Sequence, residues 1–252
     1  MADSDDIRGW EMKLGKNPAI FDRRTLKLSS YLDTPKLPPL PPESDWFKKV
    51  SQFNMGGNDT YGDCVVCGAA HMMQTWTANA GRHEVITPDK TIVDAYLKIT
   101  GGQDTGLNML DFLNHWRQVG IFGNKIGAFV SVNPRKVTQM QYANWLFGGI
   151  FLGMELPEAW QGAKVWDAGP LGPSGRYEPG SWGGHCVAAG KASPTGYVVS
   201  TWGMEMPVTA AGMMYADEAY AIISLEWFDV NHKTPTGLAW KDLLADLKAV
   251  TK

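Results

Sequence analysis

A cysteine that follows a tight turn and opens an apolar helix is placed for nucleophilic chemistry, because the unpaired N–H groups and partial positive charge of a helix start favour a thiolate over a thiol. Cys64 is such a residue: Asn58-Asp-Thr-Tyr-Gly-Asp-Cys64 runs into Val65-Val-Cys-Gly-Ala-Ala-His71. The same place also suits a small buried hydrophobe, the common fate of a free cysteine. A thiolate attacking a carbonyl needs an imidazole beside it, a third group to orient that imidazole, and donors for the oxyanion. Gly183-Gly184-His185 opens an apolar strand and offers the imidazole, with glycines that leave room for a substrate backbone. Ser200-Thr-Trp-Gly203 closes the next strand and sets a hydroxyl and the Trp202 indole near that histidine. Two rival chemistries use the same residues. Cys64 and Cys67 form a C-x-x-C with redox spacing, and Cys64, Cys67 and His71, joined by His185 and Cys186, would make a zinc set. A redox pair expects an early βαβ unit, and Cys67 with His71 reads more simply as helix packing and a satisfied polar group. No metal and no cofactor is therefore expected. His83, His115 and His232 have no partner pattern.

The elements that must hold these residues follow from periodicity and punctuation. The run from Cys64 to about Asn79 lacks proline and predicts a buried central helix closed by Gly81. Thr87-Pro88-Asp89 is a helix start leading to about Ile99, and Met109, Phe112, Leu113 and Trp116 share one face of a further helix ended by Gly120. Residues 125 to 132 alternate as a half-buried strand, Asn133-Pro134 opens a helix to about Phe147, and 148 to 156 is an apolar run of strand length. A Gly- and Pro-dense loop spans 167 to 184 and contains Trp182. Strands are predicted at 185–192, 197–202 and 218–225, and an amphipathic helix at 238–250. Helices before strands give an α+β fold.

The ends look different from the body. Residues 1–50 begin polar and become proline-rich through Thr34-Pro-Lys-Leu-Pro-Pro-Leu-Pro-Pro-Glu43, a stiff segment that reads as a strap along the body or as a docking arm for a protein partner. Arg24, Leu26 and Leu28 alternate with polar residues and hint at a short strand. The domain proper is 51–252. With 252 residues the chain can bury a substantial core, and its net charge of −3 with no Lys/Arg stripe argues against a nucleic-acid partner. The acidic N-terminus lacks a signal peptide's features, and no apolar run reaches membrane-spanning length, so the expectation is a soluble cytoplasmic protein with no membrane partner. Three cysteines fit free thiols rather than a disulfide framework.

Five segments, in order, resemble the papain-like cysteine peptidases over about 58 to 224. The Cys64 turn looks like the calpain form Gln-Gly-x-x-Gly-Asp-Cys-Trp, with Asn58 at the glutamine and Val65 at the tryptophan. Gly149-Ile-Phe-Leu-Gly-Met-Glu-Leu156 resembles the strand Gly-Pro-Val-x-Val-x-Ile, and His185-Cys-Val-Ala-Ala-Gly-Lys191 is similar to His-Ala-Val-x-x-Val-Gly-Tyr. Tyr197-Val-Val-Ser-Thr-Trp-Gly203 resembles Tyr-x-x-x-x-Asn-Ser-Trp-Gly, and Glu218-Ala-Tyr-Ala-Ile-Ile223 the closing Gly-Tyr-x-x-Ile strand. The resemblance implies a helical half at about 58–122 around the Cys64 helix and a β-rich half at about 123–228. It further implies a Cys64 thiolate with His185 as its partner, Ser200 orienting that imidazole, and Asn58 with the Cys64 N–H holding the oxyanion. Trp182, Gly183, Gly184 and Trp202 would line and shield a groove for a peptide or protein substrate. Two functions are expected from this pattern: hydrolysis of a peptide, isopeptide or related amide, or a papain-like scaffold of little or no activity used for binding or assembly. A phage or bacterial, virion-associated setting suits the second.

Overall fold

In a computed structural model the chain is described over residues 12–32, 38–81, 83–228 and 233–236. In chain order the elements are α1 (Ser29–Leu32), β1 (Ser44–Asp45), α2 (Cys64–Asn79), α3 (Asp89–Ile99), α4 (Met109–Gln118), β2 (Ala128–Ser131), α5 (Val137–Phe147), β3 (Ile150–Leu156), β4 (Gly183–Ser193), β5 (Gly196–Thr201), β6 (Met204–Thr209) and β7 (Ala216–Ile223). The strands form one antiparallel sheet in the order β2-β7-β3-β4-β5-β6, with the short β1 paired to β4. The fold is α+β.

The sheet is covered on both faces, which explains why β3 is apolar at nearly every position. Ile150, Leu152, Met154 and Leu156 point into one core with Val187, Ala189, Val199 and the α5 residues Met140 and Leu146. Phe151 points the other way, with Cys186, Ala188, Tyr220 and Ile222, into a core made by α2 and α4. All but one residue of α2 is buried, so this helix is covered all round rather than amphipathic, with His71, Gln74, Thr75, Thr77 and Asn79 as buried polar groups. By contrast α4 is anchored by a cap, the Asn108 side chain accepting from the Leu110 and Asp111 N–H groups.

Three expectations are corrected. The helix after Asn133 begins at Val137, since Asn133 and Pro134 form a turn before it. β6 is a strand beyond those predicted, and its Pro207 is tolerated because β6 lies at the sheet edge. Leu26 and Leu28 make no strand, although the Leu28 N–H and the Leu26 carbonyl pair with Ser131 before α1. The proline-rich stretch lies partly, and the helix expected at 238–250 wholly, outside the described residues. No helix among the described residues is long and apolar enough to cross a membrane.

Candidate active site

Cys64 is the first residue of α2 and is 1% exposed. Its Sγ accepts the Cys186 N–H at 3.4 Å, and the Gly15 N–H also faces it. Burial pushes this thiol up to about 11, against the pull of those two N–H groups. All three cysteines are free thiols.

His185 lies near the start of β4, opposite Met154 of β3, and is 1% exposed. Its Nε2 meets the Thr201 Oγ1 at 2.7 Å, while its Nδ1 is buried without a hydrogen-bond partner. The Trp202 ring stacks on the imidazole at 4.7 Å and 17° between planes. Trp202 reaches that place from a two-residue turn joining Thr201 to Met204, with φ of +49° at Trp202 and +73° at Gly203. A tight hairpin of this hand needs positive φ at both central residues, which is comfortable for Gly203 and strained for Trp202. Trp182 packs on the far side of Trp202, centroids 5.5 Å apart. Burial, and secondarily the Lys16 charge, lower His185 to about 3. With the thiol raised and the imidazole lowered, both groups are neutral in this covered state.

Two residues sit differently from their expected places. Ser200 does not reach His185; its hydroxyl is 3.0 Å from Nδ1 of His71 on α2. Strand alternation is the reason: Val199 and Thr201 share the face that holds His185, and Ser200 faces α2 with Ala188, its register partner. Thr201 is the hydroxyl on the histidine, a residue that the parity of Val187, Ala189 and Val199 would have singled out. Asn58 is likewise spent elsewhere, donating from Nδ2 to the Met55 carbonyl at 2.9 Å, with its Oδ1 buried and unpartnered. The donor left at the thiol is the Cys64 N–H, which a helix start leaves without an intrahelical acceptor.

The space in front of Gly183 and Gly184 is filled by backbone, but of this chain. The Lys16 N–H donates to the Gly184 carbonyl at 3.1 Å, Lys13 donates to Asn58 at 2.7 Å, and Leu14 packs on Gly183. A β-carbon on Gly184 would collide with the Lys16 carbonyl, and one on Gly183 would stand 3.0 Å from Leu14 Cδ1. The segment 12–17 therefore lies across the Cys64 and His185 groove. Among the described residues no group of three His, Cys, Asp or Glu is placed to hold a metal ion. The cysteines of the C-x-x-C point to different partners, Cys67 lying 3.6 Å from His71 Nε2.

The arrangement of a buried central helix against an antiparallel sheet is shared with solved structures. Xylellain, a cysteine protease from Xylella fastidiosa, superposes with a TM-score of 0.64 at 16% identity, covering 86% of this chain and 97% of that one. The fold is papain-like. Digestive procathepsin L 3 of Tenebrio molitor follows with 0.54 at 11% identity over 87% of this chain and 77% of that one. A procathepsin B from Trypanosoma congolense gives 0.55 at 9% identity over 88% of each. No protein-family model and no curated protein sequence matches the chain. At such identities the papain-like fold is what is shared.

Proposed function

We propose that the chain is a cysteine hydrolase of peptide-like amide bonds, with Cys64 as nucleophile, His185 as its acid and base, and Thr201 as the positioning residue. The observation that carries this reading is the His185 ring: Nε2 is tied to Thr201, the face is stacked on Trp202, and Nδ1 has no hydrogen-bond partner, Cys64 Sγ included, one residue before the Cys186 N–H that meets that sulfur. With the Nε2 proton donated to Thr201, Nδ1 is the basic nitrogen and can take the thiol proton. The thiolate then attacks the carbonyl carbon, the Cys64 N–H holds the oxyanion, and His185 returns the proton to the leaving amine. Water, deprotonated by the same nitrogen, cleaves the thioester and restores the thiol. Both groups are neutral in the covered state because water is excluded, so departure of 12–17 restores the solvent that a thiolate–imidazolium pair needs.

The test is an epoxide probe for cysteine hydrolases with the labelled site mapped by mass spectrometry. Selective labelling at Cys64 near neutral pH, lost in Cys64→Ala, is the expected result. Slow and equal labelling of Cys64, Cys67 and Cys186 would overturn it and leave the inactive scaffold as the reading, for which the buried thiol and filled groove are the supporting observations.

A further inference from the structure

The segment that covers Cys64 also places a lysine in a pocket that the rest of the chain builds. On one side Lys16 is tied to Gly184; on the other, the Gly15 carbonyl accepts from Leu107 at 2.8 Å and the Asn17 N–H donates to Leu107 at 2.9 Å. The strap is thus gripped through its backbone on both walls, as any extended peptide can be. At the thiol it presents the Gly15 N–H, while the Gly15 carbonyl is turned to the Leu107 N–H.

The Lys16 side chain is fully buried, and its Nζ lies 3.0 Å from Glu155, 2.7 Å from Asp217 and 3.7 Å from Glu218. Room for its stem comes from Gly153 in the middle of β3, where a β-carbon would stand 2.5 Å from Lys16 Cε and 2.9 Å from Met109 Sδ. A glycine inside a strand costs about 0.5–1 kcal/mol, and what it leaves here is space for a long side chain. The pocket is more acidic than its occupant neutralises, with three carboxylates around one ammonium. Glu218 is 7% exposed and its Oε1, like Asp217 Oδ1, is buried without a hydrogen-bond partner. Burial pushes the Glu218 carboxyl up to about 7, against the pull of Lys16. A guanidinium has five donors in a planar fork where an ammonium has three, and Lys16 spends one on its neighbour Asn17.

We propose that Glu155, Asp217 and Glu218 line a specificity pocket for a basic side chain of the substrate, arginine ahead of lysine, which Lys16 fills while the strap covers Cys64. The assignment rests on the hydrolase reading above and deepens it.

The experiment uses the full chain with Lys16→Ala. Propylguanidinium, which restores a head group to the emptied pocket, is expected to raise the melting temperature, and its neutral isostere N-propylurea is not. Adding Asp217→Asn and Glu218→Gln should remove the difference. Two epoxide probes that differ only in an arginyl or a norleucyl side chain then report on use of the pocket. The arginyl probe should label Cys64 about tenfold faster, the size of one charge-assisted contact, and the carboxylate substitutions should abolish that preference while sparing the norleucyl rate. The same probe pair on the unsubstituted chain keeps the preference readable should Lys16→Ala not fold. Equal rates for the two probes would overturn the pocket and leave the hydrolase standing. Labelling by neither would overturn the hydrolase, and the pocket's role with it, even where propylguanidinium binds. Equal melting temperatures in propylguanidinium and N-propylurea would overturn the pocket itself.

Discussion

Cys67 and His71 lie one and two helical turns farther into α2 than Cys64 and form a closed polar chain with Asn54 and Ser200, whereas Cys64 and His185 share no hydrogen bond, Sγ meeting the Cys186 N–H and Nε2 the Thr201 hydroxyl. The Asn54 carbonyl, 3.1 Å from His71 Nε2, can only accept, so that nitrogen carries the proton and Nδ1 accepts from the Ser200 hydroxyl. Each nitrogen of His71 is used inside the protein. At His185 one nitrogen is used and the other is not. The same two residue types are therefore satisfied in full at one place and keep an unpartnered nitrogen at the other, and that difference supports the chemistry proposed for Cys64 and His185.

Exchanging the cysteines should break this contrast most strongly. Cys64→Ala is expected to abolish epoxide labelling while Cys67→Ala leaves it at Cys64, as peptide mapping will show. Replacing the histidines separates the two roles. His71→Ala should cost about 2–3 kcal/mol in urea unfolding, because it leaves the Ser200 hydroxyl and a void in a tightly packed interior. His185→Ala should slow labelling by about a hundredfold, the lower bound for a lost acid–base group, with a smaller change in stability. The adjacent hydroxyls give a finer division. Thr201→Val should slow labelling by about five- to tenfold, equivalent to one hydrogen bond of about 1 kcal/mol. Ser200→Ala should lower stability by a similar amount and leave the rate alone.

Stability should also depend on pH. Burial lowers His71 to about 4, below the ordinary histidine value. The unfolded chain therefore takes up its proton first, and this histidine's contribution to stability is lost as pH falls from about 6.5 toward 4. Asp63 acts in the opposite sense: burial, reinforced by Asp104, Asp89 and Asp59, raises it from 3.8 to about 8, so its neutral form favours the fold at low pH, and that contribution declines as pH rises from 3.8 and is gone by about 8. His71→Gln should flatten the acid limb of a stability–pH curve and Asp63→Asn the alkaline limb, as urea midpoints measured across pH 4 to 9 will show.

Much of this was legible along the chain because it depends on neighbours in sequence. The proline-free run after Cys64, the start at Thr87-Pro88-Asp89 and the shared face of Met109, Phe112, Leu113 and Trp116 are local, and local residues determine helices. The order of the five motif segments points to the α+β, papain-like fold. What the linear order left open were choices set by contacts distant in sequence. One residue of strand parity separates Ser200 from Thr201, and a β-strand turns that single step into opposite faces of the sheet. Asn58 stands at the spacing of an oxyanion donor, yet its amide serves the Met55 carbonyl within its own turn. Residues 12–17 have no periodicity to read, since their backbone–backbone hydrogen bonds go to Asn58, Leu107 and Gly184 and none of these is made within the segment. The pocket around Lys16 joins positions 16, 153, 155, 217 and 218, and only the pairing of β3 with β7 brings those carboxylates around one ammonium.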